Sequence, residues 1–154
     1  MADPYDLQRF VDAQEGVYPR VVAELSRGHK QTHWMWFVFP QVAGLGFSPM
    51  AQRFAIRSRE EAASYLSHEL LGQRLIECTG LVLAVDDRTI NDIFGAPDDI
   101  KFRSSMTLFS EVSGLPIFDR AIEKYFAGEK DKGTLGILTA LQALPPTARS
   151  GHRR

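Results

Sequence analysis

The sequence predicts an all-α protein, a compact single-domain bundle of about seven to nine short and medium helices. Three observations lead there. Apolar residues recur at three- and four-residue steps, most clearly over 69–85, where Leu71, Leu75, Cys78, Leu81, Val82 and Val85 form one stripe. Helix punctuation recurs along the chain, with serine, aspartate or proline at starts and glycine at stops. No long run alternates apolar with polar residues, and no dipeptide reads as a tight hairpin turn.

The elements follow in order. Asp3 is placed to cap a first helix with Pro4 at its first position, and Leu7, Phe10 and Val11 share a face. Gly16 and Pro19 interrupt that pattern. A second helix uses Val21, Val22 and Leu25 and ends at Gly28. Ser48-Pro49 opens a short helix carrying Met50 and Phe54. Ser58 and Glu61 have capping-box spacing ahead of Ala62, Tyr65 and Leu66. The long stripe over 69–85 comes next. A short helix over 89–94 is stopped by Gly95, and Asp98 or Asp99 caps another that carries Phe102, Met106 and Phe109. Pro116 starts a helix through Ala121, Ile122, Tyr125 and Phe126, stopped by Gly128. A last helix spans 131–144, ahead of Pro145-Pro146. The aromatic run over 34–39 fits a short buried helix or an extended crossing of the core, since a lone strand has no partner.

Composition bounds the function. The chain has 154 residues, 44% hydrophobic and 24% charged, with a formal net charge of −1. That apolar content excludes a disordered tether. Cys78 is the single cysteine, so an intrachain disulfide and a multi-cysteine metal site are excluded. Arg149, Arg153 and Arg154 sit in a polar tail over 145–154, expected to be disordered, and the domain is expected to span 1–144. Without those arginines the body is mildly acidic, which argues against nucleic acid as a partner. The run over 34–39 is far shorter than the roughly 20 residues needed to cross a bilayer, so no membrane partner is expected. With an acidic N-terminus and one thiol, the protein is expected in the cytoplasm.

Two segments carry the chemistry-bearing residues. The first, over 28–41, sets Trp34, Trp36, Phe37 and Phe39 beside His29, His33, Lys30 and Gln41. Rings offer stacking area and polar tips fix orientation, which suits a flat, π-rich ligand; the bland alternative is a core plug of aromatics. His29 and His33 are four apart, but no third ligand is identified, so no metal is assigned. His33 is better suited to hydrogen bonding or acid–base work near neutral pH. In the second segment, Asp98 and Asp99 open a helix on which Lys101 precedes Ser104 and Ser105 on one face. Helix N–H groups and these cations suit a phosphate, while the carboxylates suit ribose hydroxyls. A lysine-activated serine nucleophile is the less favoured reading, because the S-x-x-K order is reversed. Gly44-Leu45-Gly46 is too short for a phosphate loop, and no dinucleotide or Walker motif exists, so no cofactor is assigned.

The stretch His33-Trp34-Met35-Trp36-Phe37-Val38-Phe39-Pro40-Gln41, with Gly44-Leu45-Gly46 after it, resembles the signature of the bacterial "domain of unknown function 1810" family. So do Pro97-Asp98-Asp99, Lys101, and Ser104-Ser105-Met106-Thr107-Leu108-Phe109. The resemblance covers about 5–138 and implies a compact, mostly helical domain. Members often carry the label calpastatin. Calpain inhibitors of that type are disordered and repetitive, whereas this sequence has core-forming helices and no repeat. A more distant similarity is to the helical NADAR group of N-glycosidases acting on nucleotide-like or ADP-ribosylated substrates, none of whose catalytic residues aligns one by one here.

Together these point to a pocket for an anionic or nucleotide-like small molecule. Lys30, Trp34, Trp36, Gln41, Lys101, Ser104 and Ser105 would bind it. N-glycosidic hydrolysis is the chemistry to test, with Asp98, Asp99 and His33 as candidate catalytic groups. The alternative is a non-catalytic module whose aromatic segment docks a protein partner.

Overall fold

A computed structural model describes residues 2–143; the predicted tail over 145–154 and position 144 lie outside them. Ten α-helices form among the described residues: α1 Gln8–Gln14, α2 Tyr18–Ser26, α3 Met35–Val38, α4 Pro49–Arg53, α5 Arg59–Ser67, α6 Glu69–Leu83, α7 Ile90–Phe94, α8 Asp98–Ser113, α9 Pro116–Phe126 and α10 Lys132–Ala143. The expected all-α class holds. The helix beyond the predicted nine is α3, one turn in the aromatic run. Among the described residues the nearest thing to a strand is a single parallel bridge, Val42 to Ile56. No described helix is long and apolar enough to cross a membrane.

Local chemistry explains most boundaries and moves a few. Asp6 adopts φ 52° and breaks the chain, so α1 starts at Gln8 rather than at Pro4. Asp3 still serves that end, accepting from the Leu7 and Gln8 N–H groups at 2.8 and 3.0 Å. Pro19 sits inside the first turn of α2, where its missing N–H costs nothing. Ser58 caps α5 by accepting from Glu61 N–H at 2.9 Å, but the Glu61 carboxylate accepts from Arg57 N–H instead of closing the box. The reciprocal box forms at Thr89 and Asp92, ahead of α7. His68 caps α6 through Nδ1, which accepts from Leu70 and Leu71 N–H.

α8 is the central post, packing against α5, α7, α9 and α10, while α6 packs against α1, α2, α5 and α9. Residues 104–110 are all buried, so α8 lacks the wet face of a surface helix. Its hydroxyls are accommodated by bonding backwards: Ser104 and Thr107 donate to the Ile100 and Arg103 carbonyls at 3.2 and 2.9 Å. One continuous core joins the helices, from Phe10 and Tyr65 through Phe109 to Phe118. A second ring group, Trp34, Phe39, Phe94 and Phe102, fills the end of the bundle where α8 begins, with Phe39 edge-on to Phe102 at 5.0 Å.

The corner between α5 and α6 requires Gly72. A Cβ there would lie 1.9 Å from the Leu66 carbonyl oxygen, an overlap only backbone movement can relieve. Gly72→Ala is expected to cost about 3 kcal/mol, read as a lower urea midpoint with an unchanged slope. A variant within 1 kcal/mol of the parent would show that the corner yields freely.

Candidate functional site

The site begins with one buried acid. Glu24 occupies the inward face of α2 between Val21 and Leu25, and it is only 2% exposed. Gly28, at φ +70°, turns the chain after α2 and sends it back past this carboxylate. Glu24 Oε1 accepts from Gln31 N–H at 2.8 Å, Thr32 N–H at 3.1 Å and the Trp34 indole N–H at 2.9 Å; Oε2 accepts from the Thr32 hydroxyl at 2.7 Å. Burial pushes the carboxyl up, but these hydrogen bonds outweigh it and hold the group at about 2.

That anchor positions Lys30. Its N–H donates to the Ile93 carbonyl at 2.7 Å, and its ammonium donates to the Thr32 carbonyl at 2.5 Å. The same ammonium lies 5.0 Å from the centre of the Trp34 ring and 2.8 Å from Asp98 Oδ2. Asp98 stands at the first position of α8 and makes no cap hydrogen bond; Pro97 precedes it as the cap residue. Its second oxygen is 3.6 Å from Lys101 Nζ, and Lys101 lies over the Trp36 ring at 5.3 Å. Two ammonium groups thus share the Asp98 carboxylate, and the ionised Glu24, bonded to the Trp34 indole that lies against Lys30, is the second anion of the site. The Lys30 side chain is 6% exposed, against 20% for Asp98 and 24% for Lys101.

Two donors in this region have no acceptor. The Trp36 indole N–H and the Ser105 hydroxyl are buried and make no hydrogen bond. Ser105 is one turn beyond Lys101 on the same face of α8. Each buried, unpaired polar group costs about 1–3 kcal/mol, so such a pair is unusual in a well-satisfied core.

The structure therefore brings together Lys30, Trp34, Trp36, Asp98 and Lys101, which come from both segments singled out in the sequence. Other candidates fall elsewhere. Trp34 is buried, its N–H held by Glu24 and its ring set against Phe39 and Phe94, so it is core support and not a stacking surface. Asp98 does not cap α8; the lysines draw it sideways. Asp99 accepts from Asn91 at 3.0 Å and from Ile100 N–H at 2.8 Å, which ties α7 to the start of α8. Ser104 is spent on the Ile100 carbonyl. Gln41 is half-buried and uses its carbonyl to accept from Ile56 N–H at 2.9 Å. His29 and His33 are exposed in the loop before α3 instead of sharing a helix face. No group of three or more His, Cys, Asp or Glu among the described residues is placed to hold a metal ion.

Sequence reasoning missed Glu24. The signal was available: an acid at the third step of an apolar stripe, Val21, Glu24, Leu25, is buried and must be paired. It also missed a cleft of about 360 Å³ between the ends of α2 and α6, lined by Arg27, Gly28, Val85 and Arg88 among others. Cys78 is buried beside Tyr18, and burial pushes its thiol up to about 12, so it is inert.

A family model described as a protein of unknown function, DUF1810, matches residues 4–138. The chain belongs to the DUF1810 family. Among solved structures, the conserved hypothetical protein Rv1873 from Mycobacterium tuberculosis is similar, with 54% identity over 89% of this chain and 99% of its own, at a TM-score of 0.88. No curated protein matches. DUF1810 membership agrees with the resemblance carried by the 33–41 and 97–109 stretches, which contribute Trp36, Asp98 and Lys101 to the cluster.

Proposed function

We propose that this DUF1810 chain binds an anionic, nucleotide-like small molecule at Lys30, Trp36, Lys101 and Ser105. The observation that carries this reading is the buried, unpartnered Trp36 N–H beneath Lys101, with the unpartnered Ser105 O–H one turn beyond Lys101 on α8. A ligand with anionic oxygens would give the Trp36 N–H an acceptor beside Lys101, and the Trp36 ring would offer a planar group something to lie against. Lys101 lies over the Trp36 ring, and its link to Asp98, at 3.6 Å, is the looser of the two.

N-glycosidic hydrolysis fits this arrangement less well than binding does. A catalytic carboxylate must be free to receive a proton or face a developing cation, and Asp98 already faces two ammonium groups. A protein-docking role for the aromatic segment gains little, because Trp34, Phe37 and Phe39 are buried. In this reading 1–144 works as one domain with a basic extension, in the cytoplasm, with no nucleic acid or membrane as partner.

The test is thermal shift and calorimetry of the purified chain against ADP-ribose, nucleotides and nucleosides. Selective stabilisation by a phosphorylated member is expected, since a ligand of the native state raises stability by RT ln(1 + [L]/Kd). Lys101→Met should weaken binding by about tenfold or more. Ser105→Ala should leave the unliganded protein as stable as before, or up to about 1 kcal/mol more so, while also weakening the ligand. A flat response across the panel would remove the reading.

A further inference from the structure

We propose that His68 is a pH-sensitive latch on the corner between α5 and α6: the neutral imidazole caps α6, and the imidazolium releases its first turn. The latch needs no ligand and stands apart from the binding reading above.

α5 and α6 meet with no linker, and His68 holds both sides of the joint. Its backbone N–H donates to the Ser64 carbonyl at 2.9 Å and closes α5, while its carbonyl accepts from Gly72 N–H at 2.9 Å and starts α6. Its Nδ1 accepts from the Leu70 and Leu71 N–H groups at 3.1 and 3.2 Å. An imidazole nitrogen accepts only through its lone pair, so the ring is neutral here and carries its proton on Nε2. Among the described residues Nε2 has no protein partner and is not buried, so that N–H meets water.

Histidine is not among the preferred cap residues. Ser48, Ser58 and Thr89 cap α4, α5 and α7 through hydroxyls, whereas an imidazole acceptor is open to capture by a proton between pH 5 and 8. A protonated Nδ1 would point an N–H at two N–H groups, and a cation at a helix N-terminus also opposes the helix dipole. The corner has no slack to relieve this, because Gly72 is pressed against Leu66: a Cβ there would lie 1.9 Å from the Leu66 carbonyl oxygen. The ring therefore swings out to water. Leu70 and Leu71 N–H then lose their acceptor in a turn that buries the Leu71 side chain.

No fixed charge holds the imidazolium in place. Among the described residues His68 makes no ion pair, and Glu69 beside it is exposed. On the helices that meet here, Glu61 is paired with Arg9 and Arg74 is bonded to Gln14. Glu77 accepts from Tyr18, and Glu111 and Asp119 share Lys130. The sign follows: the cap is complete where imidazole is neutral and is lost as pH falls through the histidine range.

Urea titrations of the parent, His68→Asn and His68→Ala at pH 7.5 and pH 5 test the latch. Asparagine caps as well as any residue and does not titrate. On going from pH 7.5 to pH 5, the parent's unfolding constant should rise about fivefold more than that of His68→Asn, the worth of one cap. His68→Ala should lack that extra rise and be destabilised at both pH values. The other histidines remain in all three chains and cancel. Equal pH responses in the parent and His68→Asn overturn the proposal. Where the variants do not fold, NMR of the unmodified chain decides. Nδ1 should be the unprotonated ring nitrogen at pH 7.5, and the exchange protection of the Leu70 and Leu71 amides should fall about fivefold as the ring takes its second proton. A proton on Nδ1 at pH 7.5, or unchanged protection beside a protonated ring, overturns it.

Discussion

Glu24→Gln is expected to lower stability at pH 7 by about 3 kcal/mol and to remove part of the acid sensitivity of the fold. The carboxyl is held at about 2, against an ordinary 4.5, by four donors from Gln31, Thr32 and Trp34. A neutral amide keeps the shape but gives up the charge assistance, and its NH2 must face one of the donors. The sign follows from the depressed value. The contribution is complete above about pH 4.5, where the unfolded chain is already ionised, and is lost as pH falls through about 2. Urea titrations at pH 7 and pH 3 on both proteins check this. The parent should lose stability between them through Glu24, and the variant should lack that component. Parallel losses would show that Glu24 does not set the pH response. Because the same carboxylate fixes residues 31–34 and thereby Lys30, ligand affinity should weaken in the variant as well.

The second large effect concerns an ion pair outside the lysine cluster. Arg9→Met is expected to cost about 3–5 kcal/mol, the range for removing one partner of a buried ion pair. Arg9 Nη2 is 2.7 Å from Glu61 Oε2, with side-chain exposures of 9% and 4%. The same guanidinium donates to the carbonyls of Tyr5, Asp6, Arg53 and Ala55, so it joins α1 to the loop before α5. Its loss strands those carbonyls and leaves Glu61 with Arg57 N–H alone at 3.1 Å. The double variant Arg9→Met, Glu61→Gln should lose clearly less than the sum of the single losses, since neither then leaves a buried charge. Additive losses would mean that the two side chains act independently. Surviving folded Arg9→Met protein should bind ligand as the parent does, which separates stability from site chemistry.

Much of the fold was legible because it rests on local rules. The α6 stripe, the Ser48 and Ser58 caps and the left-handed glycines at 28 and 114 are decided within a few residues. Local signals failed where a distant partner outbid them. Asp98 has the position of a cap but serves Lys30, which lies in another segment. Glu61 has box spacing but is drawn to Arg9. In the aromatic run, periodicity over so short a length could not separate a single buried turn from an extended crossing; packing of Phe37 against Phe54 and of Phe39 against Phe102 chose the turn.

For this protein the sequence alone determined the helical class, the family likeness and the two stretches where polar and aromatic residues gather. Those properties depend on residue type and short spacing. Only the tertiary structure decided which of these residues meet: Lys30 with Asp98, Lys101 over Trp36, Trp34 sealed in the core on Glu24. It alone exposed the unpaired Trp36 and Ser105 donors. A buried charge takes whichever counter-charge the fold brings within about 3 Å, and no spacing rule along the chain encodes that choice.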